Sequence, residues 1–292
     1  MAIGRPEGGA IERDIAMTTN LAIRRAAQSH IANLRLESPF HPRLIALSQQ
    51  NDWYSWGGYK APLSLWDEEM EYFAIRSQAA VFDISPMVKY RVEGAGAEAF
   101  LNRLTLRNVA KLKPGKVQYT AWCDDEGHVL DDGTLFRLSA TRFRLCCQER
   151  HLPWLRDSAI GFNVNVSDVS EDIAALSLQG PCAYAVLAGA GFDGAKMLKP
   201  FQLADYRFGT SGKVMISRTG FTADLGYELW TSPANALDLW DHLMTAGALH
   251  GLRPIGTTAL NMARIEAGFM IANMDFISAT TALRPDLSLI HI

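Results

Sequence analysis

The feature that most restricts the fold is the alternation of short strands and short helices along residues 38–268. Alternating apolar and polar residues predict strands over Val117–Cys123 and His128–Leu138, joined by the turn Asp124–Gly127. A further strand is predicted over Arg142–Gln148. Strands joined by such short turns are antiparallel, because a parallel connection needs a dozen or more residues. The predicted fold class is therefore α+β, with antiparallel sheets and packed helices, and not a doubly wound parallel sheet.

Helical and strand periodicity predict the remaining elements. The predicted helices cover residues 41–49, 68–79, 96–104, 149–158, 182–189, 234–250 and 256–268, and further strands cover 88–92, 163–168, 174–178 and the vicinity of residue 206. The stretch that holds Trp53, Trp56 and Tyr59 is predicted to be an aromatic, glycine-bearing loop. Such a loop either walls a ligand pocket or covers the core.

Composition excludes several classes of function. The net charge of −3 provides no basic field for nucleic acid or an anionic membrane surface. Four cysteines without a CxxC spacing predict reduced thiols and a cytoplasmic protein, and no apolar run reaches the roughly 20 residues that a membrane span needs. The histidines form no HxH, HExxH or Cys/His pattern, so we expect no metal site. No P-loop, G-x-S-x-G or complete G-x-G-x-x-G is present, which disfavours phosphoryl transfer, serine hydrolysis and nicotinamide chemistry.

The segment Ser217–Leu229 is predicted to be a hairpin with a small, flexible tip, and its second strand carries one carboxylate, Glu228. Phe221 and Tyr227 flank this acid in the sequence. A carboxylate among aromatic side chains can accept two parallel hydrogen bonds from the N–H edge of a flat, nitrogen-rich ring. The alternative is a hairpin with an ordinary surface glutamate.

Two consecutive acids, Asp131 and Asp132, interrupt an apolar strand. Strand geometry sends their side chains to opposite faces, so that one faces solvent and the other the interior. A half-buried aspartate can hold a developing positive charge or steer a proton, whereas a β-bulge at Gly133 would leave both acids solvated. Tyr119, on the preceding strand, reaches one of the acids or lies in the core. Gln148 ends the next strand, either as an amide that contacts a ligand or as a plain strand end.

Five segments occur in an order and spacing that resemble the folate-binding aminomethyltransferase family, typified by the T-protein of the glycine cleavage system. These segments are Ala80–Ser85, Gly127–Leu135, Leu178–Pro181, Arg218–Thr222 with Gly226–Glu228, and Arg264–Gly268. The resemblance covers about residues 38–274. It implies a tetrahydrofolate cavity and a one-carbon transferase that acts with a small-molecule donor or a lipoylated carrier protein.

The resemblance also implies a role for each candidate residue. Asp132 matches the family's functional aspartate near the folate nitrogens, Glu228 its pterin-binding glutamate, and Tyr119 a folate-contacting tyrosine. Gln148, Phe221 and Asp131 are expected to contact the folate as well.

Several positions depart from the T-protein pattern. Pro86 replaces a histidine, Phe221 a tyrosine and Gln148 an asparagine, and Leu260-Asn261 replace an Arg-Asp pair. A stand-alone demethylase of a small N-, O- or S-methyl compound is therefore a second hypothesis. A non-catalytic folate-binding protein is a third, although Arg218–Phe221 lacks that group's Lys-Gly-Cys-Tyr segment.

The predicted organisation has three parts. Residues 1–37 are predicted to be a flexible extension, residues 38–276 a core of two intertwined α+β subdomains, and residues 277–292 a truncated linker with a non-native tail. The family has a C-terminal β-barrel domain that closes the cavity. We expect this chain to lack that domain. We further expect an exposed apolar face and weak folate binding or none. A degraded fragment without function of its own is a separate hypothesis.

Overall fold

The structure is a computed structural model that describes residues 36–284. Its α-helices are α1 His41–Leu47, α2 Glu68–Ser77, α3 Ala97–Leu104, α4 Leu152–Ser158, α5 Ala183–Gly189, α6 Ala236–Gly247 and α7 Thr257–Glu266. Its strands are β1 Asp52–Trp56, β2 Tyr59–Ser64, β3 Ala79–Asp83, β4 Val88–Glu93, β5 Lys116–Cys123, β6 Val129–Arg137, β7 Arg142–Cys147, β8 Asn165–Asp168, β9 Ala174–Gln179, β10 Leu203–Phe208, β11 Gly212–Ser217, β12 Gly226–Thr231 and β13 Leu252–Pro254.

The strands form two large sheets and one two-stranded hairpin, β1–β2. The six-stranded sheet has the order β10-β11-β12-β9-β3-β13, and the five-stranded sheet has the order β5-β6-β7-β4-β8. Every neighbouring pair is antiparallel except β13 and β3. The α+β fold class with antiparallel sheets is therefore confirmed, and the described residues contain no closed barrel.

In the sequence, all strands of the five-stranded sheet, β4 to β8, lie between β3 and β9 of the six-stranded sheet. Apolar side chains hold the two sheets face to face, with Phe136 and Cys146 on one side and Met215 and Trp230 on the other. The rings of Phe136 and Trp230 meet edge to face at 5.2 Å. We call this space between the sheets the inter-sheet space.

Helices cover the outer face of each sheet. Helices α5 and α6 pack on the six-stranded sheet through Leu187 and Trp240, and α3 and α4 pack on the five-stranded sheet through Phe100 and Leu155. Helices α2 and α7 contribute Ile75, Ala259 and other residues to the inter-sheet space. Alternate residues of each strand face the inter-sheet space, and the residues between them face the outer helices.

Most predicted elements have the predicted type, and their ends differ by a few residues. The aromatic loop prediction is wrong, since Trp53, Trp56 and Tyr59 lie in the β1–β2 hairpin. Its turn is Gly57-Gly58, which have φ values of +56° and +92°. Strand β3 was not predicted, because all of its residues are buried and its sequence therefore does not alternate.

Arg264 and Glu266, two residues apart at the end of α7, do not pair with each other. Arg264 is 3% exposed and binds Asp275 and the carbonyl oxygen of Phe269, and not its near neighbour Glu266. Glu266 instead accepts hydrogen bonds from Tyr72 and Arg76 of α2. Segments 1–35 and 285–292, which include most of the predicted extension and half of the predicted linker and tail, lie outside the described residues, and the boundaries at 38 and 276 stay predictions.

Candidate functional site

Strand β6 sends its two acids to opposite faces of the five-stranded sheet. Phe136 faces the inter-sheet space, so Asp132, four residues earlier on the same strand, faces it too. Asp131 is fully buried on the other face, opposite Trp122 of β5. The β-bulge on this pair of strands falls between Trp122 and Cys123, one step beyond the acids, and leaves their alternation intact.

The carboxylate of Asp132 is paired with a phenol. Tyr119 of β5 donates a hydrogen bond of 2.8 Å from its hydroxyl to Oδ2 of Asp132. Burial raises the pKa of Asp132 to about 6; the nearby charge of Asp131 also raises it, and the Tyr119 hydrogen bond lowers it. Burial and the same carboxylate raise the pKa of Tyr119, so this phenol stays a hydrogen-bond donor at neutral pH. Asp132 is thus a carboxylate that changes its charge near physiological pH.

Asp131 is held entirely by protein groups. Its Oδ2 lies 3.0 Å from Nε2 of His151 and accepts a hydrogen bond of 3.0 Å from the backbone N–H of Glu149. Its Oδ1 accepts a hydrogen bond of 2.8 Å from the backbone N–H of Asp132. His151 in turn packs edge to face on Trp122 at 5.7 Å. One buried carboxylate therefore ties the strand that carries Asp132 to the segment that follows β7.

Glu228 lies on β12 at the inner face of the six-stranded sheet, two residues before Trp230. Thr219 donates a hydrogen bond of 2.6 Å to its Oε2, and Thr219 and Ser217 share a bond of 2.8 Å between their hydroxyls. Burial raises the pKa of Glu228 to about 7, while the Thr219 and Ser217 hydroxyls lower it. Glu228 is thus not an ordinary surface glutamate, since burial and these hydroxyls control its charge.

The connection between β11 and β12 is an anchored eight-residue loop, so it is longer than the small tip that the sequence predicts. Thr222 is fully buried and donates a hydrogen bond of 2.9 Å to Oε1 of Gln179. A Cβ atom on Gly226 would lie 2.1 Å from that Oε1, so a larger residue there would displace the amide of Gln179. Arg76 of α2 donates to the carbonyl oxygen of Thr222. These contacts hold the loop and, through it, the start of the strand that carries Glu228.

The other two candidates lie at the borders of this region. Gln148, just after β7, accepts a hydrogen bond of 3.1 Å at Oε1 from the indole N–H of Trp56. Phe221 stacks on Phe269 with ring centroids 5.3 Å apart and planes 17° from parallel. The structure therefore gives each of these side chains a protein partner of its own.

The two carboxylates face the same inter-sheet space from opposite sheets. Cys146, on β7, lies in the core of that space, and its pKa is raised to about 12 by burial, to which the charge of Glu228 adds. Cys146 is the register partner of Thr134, two residues from Asp132 on the same face of the five-stranded sheet. The structure thus brings Asp132, Tyr119 and Glu228 to one space, with Gln148 at its margin and Asp131 behind it.

Sequence analysis did not single out His151, Thr219 or Gln179 as members of this network. The only signal for His151 was its place shortly after a strand, and its partner Asp131 is 20 residues away. Thr219 and Gln179 lie in the segments that carry the family resemblance, which pointed to their neighbourhood without assigning them a contact. Among residues 36–284, no group of three or more His, Cys, Asp and Glu side chains has metal-binding geometry.

Comparison with solved structures identifies the class of protein that this fold defines. The crystal structure of glycine cleavage system aminomethyltransferase T from Bartonella henselae matches with a TM-score of 0.73 and 28% identity, over 84% of this chain and 66% of that chain. The architecture is therefore that of the aminomethyltransferase T proteins. The particular family follows from the sequence: the model of the GCVT N-terminal domain matches residues 46–290, and the chain belongs to this family.

Curated relatives agree with the family. An aminomethyltransferase of Geobacillus thermodenitrificans is 34% identical over 235 residues, which are 79% of this chain and 64% of the relative. That of Bacillus subtilis is 34% identical over 215 residues, which are 72% of this chain and 59% of the relative. A trimethylamine-oxide aldolase of Ruegeria pomeroyi is 34% identical over 220 residues, which are 72% of this chain and 28% of that protein. The chain thus spans about 60% of the length of these two aminomethyltransferases.

No helix in the described part of the chain is long and apolar enough to cross a membrane.

Proposed function

We propose that this chain binds tetrahydrofolate in the inter-sheet space and transfers a one-carbon group to it. The observation that carries the proposal is that the Tyr119–Asp132 pair and Glu228 face this space from opposite sheets. Membership of the GCVT family, whose curated relatives include aminomethyltransferases, supports the same reaction class. Bound tetrahydrofolate would supply the nitrogen atoms that accept the one-carbon unit.

The residues of the site fit such a ligand. Glu228, in its ionised form, is an acceptor for the N–H edge of a pterin ring, because a carboxylate takes two parallel hydrogen bonds. The hydroxyl of Thr219 fixes the orientation of this carboxylate. Gln148 and Phe221 are proposed to contact the bound folate at the margin of the space. In the structure Gln148 contacts Trp56, and Phe221 contacts Phe269.

Asp132 is proposed to act on the reacting atoms. Transfer of a carbon unit between nitrogen atoms develops positive charge, and a half-buried carboxylate stabilises such charge more strongly than one in water. With its pKa near 6, Asp132 is largely ionised at neutral pH and can also accept a proton. Tyr119 holds the carboxylate in place. Asp131 is fully buried on the other face of the sheet, and His151 and two backbone N–H groups bind its oxygens, so in place of the expected folate contact it is proposed to position Asp132.

Replacing Asp132 with asparagine tests the proposal. Asp132→Asn removes the charge and retains the shape, so we expect turnover to fall by about a hundredfold or more while tetrahydrofolate affinity changes little. Both are measured on the whole chain, by formation of the one-carbon folate product and by calorimetric titration. Asp125→Asn, in the exposed turn before β6, is the control. Unchanged turnover in Asp132→Asn contradicts the catalytic role, and absence of any saturable folate binding by the unaltered chain contradicts the proposal as a whole.

The donor of the one-carbon unit has two candidates. The aminomethyltransferase relatives favour an aminomethyl group on a lipoylated carrier protein. The similarity to a trimethylamine-oxide aldolase favours a small methylated amine. Leu260, which packs against the inter-sheet core where an arginine is typical of the T-proteins, cannot hold a carboxylate and so adds weight to the second donor. Parallel assays with an aminomethylated lipoyl carrier and with trimethylamine N-oxide distinguish the two donors.

A further inference from the structure

A cavity lies between the two sheets where Arg144 of the five-stranded sheet and Trp230 of the six-stranded sheet both line its wall. Its volume is about 800 Å³, and neither Asp132, Tyr119 nor Glu228 lines it. The charged residues at its wall are Arg144, Asp172, Asp205, Arg207 and Lys213, and its aromatic residues are Tyr206 and Trp230. This volume is within the range of small-molecule binding sites, which is roughly 300–1,000 Å³.

Two of the cations lie directly opposite each other. Arg207 of β10 and Lys213 of β11 are register partners in an antiparallel pair, so their side chains emerge on the same face of the sheet. Like charges in this arrangement repel each other and destabilise the strand pair. Neither side chain forms an ion pair with any residue of the described range 36–284. A ligand that carries negative charge would remove this repulsion.

Arg144 provides the third cation, from the opposite sheet. Its guanidinium lies over the rings of Phe136, at 5.9 Å, and Trp230, at 5.4 Å. Its Nη1 atom is buried and has no hydrogen-bond partner among the described residues. Burial lowers the pKa of this guanidinium, with the charge of Asp205 acting in the opposite direction. A charge that is largely withdrawn from water and lacks a salt bridge is costly unless a counter-ion binds.

We propose that this cavity binds the oxyanion group, a carboxylate or a phosphate, of a small molecule. The guanidinium of Arg144 contacts it from the five-stranded sheet, and Arg207 and Lys213 contact it from the six-stranded sheet. The three cations outnumber the two carboxylates, Asp172 and Asp205, so the cavity keeps a positive excess. The rings of Phe136 and Trp230 hold the planar guanidinium of Arg144 in place. A guanidinium can donate two parallel hydrogen bonds to an oxyanion with two available oxygen atoms. None of the three residues proposed to act at the folate site, Tyr119, Asp132 and Glu228, lines this cavity.

Calorimetric titration of the whole chain at constant ionic strength tests the proposal, with inorganic phosphate and malonate as probes. We expect saturable binding of at least one probe. Preference for phosphate identifies a phosphorylated ligand, preference for malonate identifies an organic acid, and equal binding identifies a site for either group. Lys213→Gln and Arg144→Gln are each expected to weaken binding about tenfold, because each removes a charge-assisted contact.

The control is Arg103→Gln, an exposed position on α3 at the outer face of the five-stranded sheet. It removes the same charge far from the cavity and should bind the probes like the unaltered chain. Lys213 is exposed, so Lys213→Gln tests the site even if Arg144→Gln does not fold. The proposal is overturned if neither probe saturates, if Lys213→Gln binds as tightly as the unaltered chain, or if Arg103→Gln weakens binding as much as Lys213→Gln does.

Discussion

The hydroxyl of Tyr119 and Oδ2 of Asp132 are 2.8 Å apart, and the phenol donates to the carboxylate. The hydrogen bond stabilises the ionised form of Asp132, while burial and Asp131 favour its neutral form. Because the pKa of Tyr119 is itself raised, the phenol keeps its proton while Asp132 titrates. The charge of Asp132 between pH 5 and 8 is therefore expected to depend strongly on its hydrogen bond with Tyr119.

Removal of the phenol hydroxyl should move the pH dependence of the reaction. Tyr119→Phe abolishes the hydrogen bond that lowers the pKa of Asp132, so this pKa rises above its present value of about 6. We expect the acidic limb of the turnover–pH curve to shift to higher pH by about one unit. Tyr184→Phe, on α5 outside the inter-sheet space, is the matched control. An acidic limb that stays in place would show that Asp132 does not govern it.

Folate binding should depend on the charge of Glu228. The pKa of this carboxyl is about 7, and only its ionised form accepts two N–H donors. Affinity is therefore expected to fall as the pH drops below about 7. Glu228→Gln should bind at least about tenfold more weakly at pH 8 and lose most of this pH dependence. Calorimetric titration from pH 5.5 to 8.5 measures both effects, and a pH dependence that survives in Glu228→Gln would contradict the assignment.

The same two carboxylates should reduce stability at high pH. Burial raises the pKa of both in the folded state, so the folded chain binds their protons more tightly than the unfolded chain does. The stability that they contribute is fully present below about pH 4, and it is lost as the pH rises through about 6 for Asp132 and about 7 for Glu228. Asp132→Asn is thus expected to raise the free energy of unfolding by about 1–3 kcal/mol at pH 8, and by much less at pH 4. Urea unfolding at the two pH values measures this difference, and an equal gain at both would refute it.

Loss of the His151 imidazole should destabilise the fold. His151→Ala removes a partner of the fully buried Asp131 carboxylate, at a cost of about 2–4 kcal/mol in the free energy of unfolding. Asp131→Asn in the same background should recover part of the loss, because it removes the unpaired charge. The control is His250→Ala, in the turn after α6. If His151→Ala unfolds in urea like the control, the imidazole does not support Asp131.

A methyl group at Gly133 should disturb the strand that carries Asp132. A Cβ atom there would lie 2.1 Å from the carbonyl oxygen of Cys146, so β6 and β7 would have to move apart. We expect Gly133→Ala to cost about 1–3 kcal/mol of stability and to lower turnover more than folate affinity. Gly189→Ala is the control, since its nearest contact beyond its own helix would be an ordinary 3.4 Å. Equal effects of the two substitutions would rule out this explanation.

Much of the candidate site followed from local sequence. The alternation around Asp131 and Asp132 predicted that they face opposite sides of a sheet, and the structure has that arrangement. The short turn Asp124–Gly127 predicted that Tyr119 lies on a strand next to these acids. The structure has this arrangement, since β5 pairs with β6. Both predictions worked because hydrogen-bond register and side-chain alternation act over a few residues and are therefore encoded locally.

The sequence by itself determined the type of most helices and strands, the α+β class and the family. Tertiary structure alone decided that Glu228 and Asp132 face one space, that His151 holds Asp131, and that Arg264 binds Asp275 rather than Glu266. Strand β3 was likewise recognised only from its pairing with β9 and β13, because a strand buried on both faces has no alternating pattern. The physical reason is common to these cases. Packing of elements far apart in the chain determines burial, partners and pKa values, and local periodicity carries no information about which elements meet.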